Sequence, residues 1–99
     1  MIRFQRAAQV RKLMPEAVAW AKQVADYINS KYPDAKLEVF TQRFGAVSTI
    51  HWFADFQDLA ALDSWQSRIV SDPDYWKTIA NAFDILIEAT IVDTVMMSS

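Results

Sequence analysis

The 99 residues contain no cysteine, one glycine, three prolines and one histidine. Without cysteine there is no disulfide, no thiolate zinc centre and no cysteine nucleophile, so the fold must form unstapled, which suits the reducing cytoplasm. A single glycine cannot build a glycine-rich phosphate cradle, and this excludes P-loop and Rossmann-type nucleotide sites. One histidine, with no HExxH, EF-hand or Cys-His spacing, supplies no metal centre, and without a GxSxG elbow no serine is singled out as a nucleophile. No cofactor is expected. An excess of basic charge is missing too. Ten Lys and Arg against twelve Asp and Glu leave a net charge of −2, which gives no electrostatic footprint for nucleic acid or an anionic membrane. No apolar run approaches 18 residues, and Arg3, Arg6, Arg11 and Lys12 interrupt any signal-peptide core, so a cytoplasmic protein is expected. Residues 1–15 carry four basic and no acidic side chains, the bias of an organellar presequence, but a strand accounts for them better.

What is abundant is apolar surface. Hydrophobic residues make up 53% of the chain and charged residues 22%, which excludes a disordered polymer and fits one domain over residues 1–99. Four Trp, six Phe and three Tyr are more than a domain this small can bury completely. Some are expected to face a partner, and a second copy is the simplest one.

Ile2, Phe4, Ala8 and Val10 alternate with Arg3, Gln5, Gln9 and Arg11, the period of a strand over 2–11 with one buried face that Arg6 interrupts. Pro15-Glu16 starts a helix running to Tyr32, with Val18, Trp20, Ala21, Val24, Ala25, Tyr27, Ile28 and Tyr32 on one half of the cylinder. Lys31 falls on the margin of that half, where its stem can lie on apolar surface. Residues 36–44 and 47–56 are two β-branched, aromatic strands around Gly45. A type II′ turn at Gly45-Ala46 pairs Phe44 with Val47 and Phe40 with His51. Period two then puts Phe40, His51 and Phe53 on one face and Arg43, Ile50 and Trp52 on the other, with large apolar groups on both. Asp58 caps a helix over 59–70. Pro73 restarts it with Tyr75, Trp76, Ile79, Ala82, Phe83, Leu86 and Ile87 on one side, and residues 89–97 return to strand. The order βαββαβ is that of an α+β ferredoxin-like plait: four antiparallel strands, both helical regions on one face, the second region split at Pro73. The uncovered face is expected to meet a twofold mate.

The strand at 2–11, the hairpin ending in HWFADF at 51–56, the helix DLAALDSWQSRIV at 58–70 and the SDPDYW step at 71–76 resemble the dimeric α/β-barrel superfamily. The similarity is greatest to its NIPSNAP-like and antibiotic-biosynthesis-monooxygenase-like members, and it extends over nearly the whole chain. It implies the plait and a homodimer through the sheet. It leaves activity open among oxygenases, haem degraders, isomerases and members with no known activity. The haem-degrading branch is similar in its sheet Trp, which Trp52 matches. Its first-strand Asn is replaced by Gln5 and Gln9, and the second helical region has no histidine. Several members of the monooxygenase branch work without metal or flavin, which is compatible with the missing cofactor motifs.

Among candidate site residues, His51 has two readings. It is either a general base in an apolar pocket, where burial would keep it neutral, or a core or interface histidine satisfied by hydrogen bonds, the commoner situation. Arg6 and Arg43 lie on largely apolar strands, ready to receive a substrate carboxylate or, more simply, to pair with Glu38, Asp93 or a mate's carboxylate. Trp20, Trp65 and Trp76 sit at core spacing, with ligand walls as the alternative. Asp72 and Asp74 read as cap and helix-dipole partner rather than ligands. RNA binding, another use of the plait, lacks its RNP1 signature here. The sequence therefore predicts a homodimeric α+β barrel holding a small apolar or aromatic molecule. His51 is the catalytic candidate for cofactor-independent oxidation or isomerisation, and Arg43, Trp52, Phe53, Trp65 and Trp76 are the ligand contacts. The alternative is a non-catalytic dimerisation module.

Overall fold

Ile2, Phe4 and Ala8 are buried and Arg3 and Gln9 exposed, so the alternation read from the sequence forms strand β1 over Ile2–Gln9. A computed structural model of the chain describes residues 1–45 and 48–98. Helix α1 (Met14–Lys31) follows, then β2 (Glu38–Thr41), β3 (Thr49–Phe56), α2 (Leu59–Val70), α3 (Pro73–Thr78), α4 (Ala82–Ile85), a 3₁₀ turn at Glu88–Thr90 and β4 (Val92–Met97). The sheet order is β2-β3-β1-β4 with every neighbour antiparallel. This is the expected ferredoxin-like plait.

The hairpin keeps the expected register, with Phe40 opposite His51 and Glu38 opposite Phe53. The strands are shorter than 36–44 and 47–56. The Gly45-Ala46 turn type and the Phe44–Val47 pair fall on residues 46 and 47, outside the described residues. Gly45 has φ of 80°, the left-handed region in which glycine alone is unstrained. β1 stops at Gln9 rather than 11: Val10 still donates its N–H to the Ser48 carbonyl (2.8 Å), but it also bridges Leu86, and Arg11 donates to the Ile85 carbonyl (2.7 Å), which draws the chain toward the helical segment. The second helical region breaks twice, at Pro73 as expected and again after Thr78. The Thr78 hydroxyl donates back to the Asp74 carbonyl (2.8 Å), and the following backbone bonds tighten to three-residue spacing. β4 starts at Val92 rather than 89, after the 3₁₀ turn.

The core lies between the sheet and the helices. Phe4, Ile50, Trp52, Ala54 and Phe56 meet Trp20, Ala21, Val24 and Ile28 of α1 and Leu62, Trp65 and Ile69 of α2. Edge-on aromatic contacts join the layers, Trp20 with Trp52 at 6.0 Å and Phe4 with Trp65 at 6.4 Å. Asp72 caps α3, accepting from the Asp74 N–H, and also accepts from Tyr27 Oη (2.5 Å), Tyr32 Oη (2.9 Å) and Lys31 Nζ (2.9 Å). This one buried carboxylate ties α1 to the break between α2 and α3. Lys31 sits on the margin as expected, its ammonium 5.8 Å from the Tyr27 ring centre.

The Tyr27 hydroxyl is the main reason the Asp72 carboxyl is held well below the usual carboxylate range. Burial opposes that effect, while Lys31 and Tyr32 add to it. A depressed carboxyl stabilises the fold fully above its unfolded pKa of about 3.9, and that contribution fades as pH falls toward the folded value. Asp72→Asn should therefore lower the urea midpoint at neutral pH and flatten its fall between about pH 5 and pH 3, followed by circular dichroism. Ile50 is fully buried, and Ile50→Ala should cost about 3 kcal/mol in the same measurement.

Candidate functional site

All four tryptophans converge on one cavity of about 350 Å³ between the sheet and the helices. The sheet supplies Phe4, Arg6 and Trp52, and α1 supplies Trp20, Val24 and Ile28. α2 contributes Trp65, Gln66, Ile69 and Val70, and the broken segment contributes Tyr75, Trp76, Ile79, Ala82, Phe83 and Leu86. The apolar side read for the segment after Pro73 thus becomes a wall, apart from Ile87. Val70, Trp76 and Phe83 are each more than half exposed and mark the mouth.

Every indole N–H is already engaged. Trp20 donates to Asn81 Oδ1 (3.1 Å), Trp52 to the Ala21 carbonyl (3.4 Å), Trp65 to the Tyr32 carbonyl (3.2 Å) and Trp76 to the Val70 carbonyl (2.8 Å). The tryptophans therefore offer rings, not donors. The polar groups left in the lining are Arg6, Gln66 and Tyr75, with no Asp, Glu or His among the lining residues. Arg6 makes a two-pronged contact with Asp93 on β4, Nε to Oδ1 at 2.7 Å and Nη2 to Oδ2 at 2.8 Å. The Asp93 hydrogen bond holds the guanidinium pKa above its ordinary value against the opposing effect of burial, and the Tyr75 phenol beside it acts in the same direction. Of the partners read for Arg6, Asp93 is the one it meets, within the chain and on the helix side of the sheet, not on the face expected to meet a mate.

Of the predicted ligand contacts, Trp52, Trp65 and Trp76 come together here. His51 and Phe53 lie on the opposite sheet face, as alternation about Trp52 requires. Gln5 Nε2 donates to His51 Nδ1 (2.9 Å) and His51 Nε2 donates to Gln42 Oε1 (2.8 Å). The Gln42 amide is oriented by its own donation to the Phe44 carbonyl (2.8 Å), which assigns the neutral ring its Nε2 proton. The His51 ring stacks on Phe53, their centres 5.9 Å apart and planes 10° from parallel. Arg43 is exposed in the hairpin loop, its guanidinium 5.9 Å from the Phe44 ring centre, away from the cavity. Gln66 was not singled out from the sequence, although its place between Trp65 and Ile69 on the apolar stripe of α2 was a readable signal. Among the described residues no three His, Asp or Glu side chains cluster as metal ligands, and no described helix is long and apolar enough to cross a membrane.

No protein-family model matches the sequence, and no curated protein matches it significantly. Solved structures do. A NIPSNAP family protein of unknown function from Agrobacterium tumefaciens superposes with TM-score 0.82 at 14% identity, over 100% of this chain and 88% of that one. An uncharacterised NIPSNAP domain protein from Burkholderia xenovorans gives 0.77 at 16% identity, over 100% and 95%. SnoaB, a cofactor-independent oxygenase from Streptomyces nogalater, gives 0.71 at 11% identity, over 99% and 92%. The chain has the ferredoxin-like α+β fold of NIPSNAP proteins and of this oxygenase. The resemblance read from the sequence is met at the level of fold.

Nitrogen-15 chemical shifts of His51 in the neutral state should show the proton on Nε2. A proton on Nδ1 would contradict the Gln5–His51–Gln42 chain.

Proposed function

We propose that this chain is the subunit of a homodimeric, cytoplasmic binding protein that takes a small apolar or aromatic molecule into the cavity between sheet and helices. The observation that carries this reading is the lining, in which four tryptophans have every indole N–H satisfied and form a space of about 350 Å³. Interiors normally pack without voids, and ligand pockets are typically a few hundred Å³, apolar, with a few placed polar groups. Trp52, Trp65 and Trp76 are the ligand contacts in this proposal. The first fifteen residues belong to β1 and the entry to α1, which supports reading their basic charge as part of the fold.

The mate would cover the face of the sheet turned from the helices. Phe40 on one edge strand and Val92 and Met96 on the other are exposed there, flanking the Arg3–Asp55 ion pair and the Gln5–His51–Gln42 chain. Apolar groups beside fixed polar ones suit a surface that excludes water and also sets register.

SnoaB is a cofactor-independent oxygenase. If this chain performs such chemistry, the electrons come from the substrate, and the protein's part is to hold and desolvate it beside Arg6 and Tyr75. One observation favours the second reading, a non-catalytic module. His51, the catalytic candidate, has both ring nitrogens engaged on the sheet face away from the cavity.

Sedimentation at micromolar concentration should give twice 11.4 kDa, and Phe40→Asp should shift it toward the monomer. A monomer throughout would overturn the dimer. Tryptophan fluorescence and thermal shift with neutral naphthalene- and anthracene-sized compounds test the cavity. Quenching with a raised melting temperature is the expected result, and no response to any of them would leave the non-catalytic module.

A further inference from the structure

We infer that the molecule held in this cavity is an apolar acid, its carboxylate received by the free end of the Arg6 guanidinium with Tyr75 beside it. This rests on the cavity reading above and adds the ligand's chemical class.

The helix-facing side of the sheet is apolar along β1 except at Arg6, which stands between Phe4 and Ala8 opposite Trp52. A cation belongs in such a place only with partners. Asp93 provides one, but it occupies a single edge of the guanidinium, the Nε and Nη2 hydrogens. A guanidinium has five N–H groups and two edges that match a carboxylate. No second carboxylate pairs with Arg6 among the described residues, the Tyr75 phenol beside it is a hydrogen-bonding neighbour, and Arg6 is the only charged residue in the cavity lining. Asp93 fixes the plane of the fork, and the Phe4 ring lies 5.9 Å from its carbon. An orienting carboxylate on one edge and a second, parallel pair of donors that meets no carboxylate form a preorganised receiver for a planar anion.

The rest of the lining points the same way. The lining carries one positive group and no acidic one, while the indole N–H groups are engaged by protein acceptors. A ligand with an apolar body and one terminal carboxylate matches both parts of that lining. A neutral hydrocarbon would use only the apolar part of that lining, whereas a carboxylate adds a charge-assisted contact at Arg6.

Isothermal titration calorimetry with 2-naphthoate and its neutral counterpart 2-naphthamide at neutral pH tests this. Naphthoate should bind at least about tenfold more tightly, the size expected for a charge-assisted hydrogen-bonded pair. Arg6→Met should bring naphthoate down to the naphthamide level without changing naphthamide binding. Should Arg6→Met fail to fold by circular dichroism, Arg6→Lys decides. It keeps the charge beside Asp93 and loses the paired donors, so the preference for naphthoate over naphthamide should shrink several-fold, and an unchanged preference would overturn the assignment. Equal affinity of the wild type for the two probes also overturns it, while leaving the apolar cavity standing. Binding of neither overturns the cavity reading as well.

Discussion

A β-strand turns successive side chains to opposite faces, and this rule divides the whole molecule into two chemistries. On β1 it sends Ile2, Phe4, Arg6 and Ala8 toward the helices and Arg3, Gln5, Ala7 and Gln9 away from them. On β3 it does the same with Ile50, Trp52, Ala54 and Phe56 against His51, Phe53 and Asp55. The antiparallel register lines these sets up, so one face becomes a continuous apolar floor and the other a mixture of ion pair, amide–imidazole chain and exposed aromatic rings. A slip of one residue would exchange the two surfaces and leave the helices facing charges. Everything above the floor, including the cavity, depends on that register.

The tryptophans show how the cavity stays open. Each is large enough to close part of it, but each is held by its indole nitrogen to a fixed acceptor at the periphery: Asn81, or the carbonyls of Ala21, Tyr32 and Val70. A ring tied at its polar edge cannot swing into the space without breaking a bond in a poorly hydrated place. The wall opposite follows helical spacing: Tyr75, Ile79, Ala82 and Leu86 recur at intervals of four and three residues, and they keep one side toward the cavity through the break after Thr78.

Much of this was legible in the sequence, for identifiable reasons. Alternation in 2–9, the single glycine between two aromatic runs, Asp58 and Pro73 at helix starts and the Phe40–His51 register are local signals, and local signals fix the plait. The site was legible in part. Trp52, Trp65 and Trp76 share the cavity because each lies on the apolar side of its own element. His51 and Phe53 flank Trp52 in the chain, and the same alternation that buries Trp52 turns them away, so one pocket cannot use all three. Arg43 was read from its strand pattern, but β2 ends at Thr41 and leaves it in the loop. The Asp72 cluster, joining residues 27, 31, 32 and 72, and the convergence of Arg6 with Tyr75 depend on how α3 packs over the sheet. No short-range pattern carries that information.

Two Arg–Asp pairs show how far position decides what a residue does. Arg3 with Asp55 and Arg6 with Asp93 have nearly the same geometry, each a cross-strand, two-pronged contact from Nε and Nη2 at 2.7–3.0 Å. Arg3 lies on the open face, and an ion pair there is worth little in water, so its effect is on register and on whatever meets that face. Arg6, three residues on, lies on the opposite face, opposite Trp52, with Tyr75 at its side. There the same contact leaves a charged donor edge beside an aromatic cavity that has no acidic group in its lining. An interaction that only decorates one side of the sheet therefore polarises the other, and the odd spacing between the two arginines is what places one on each side.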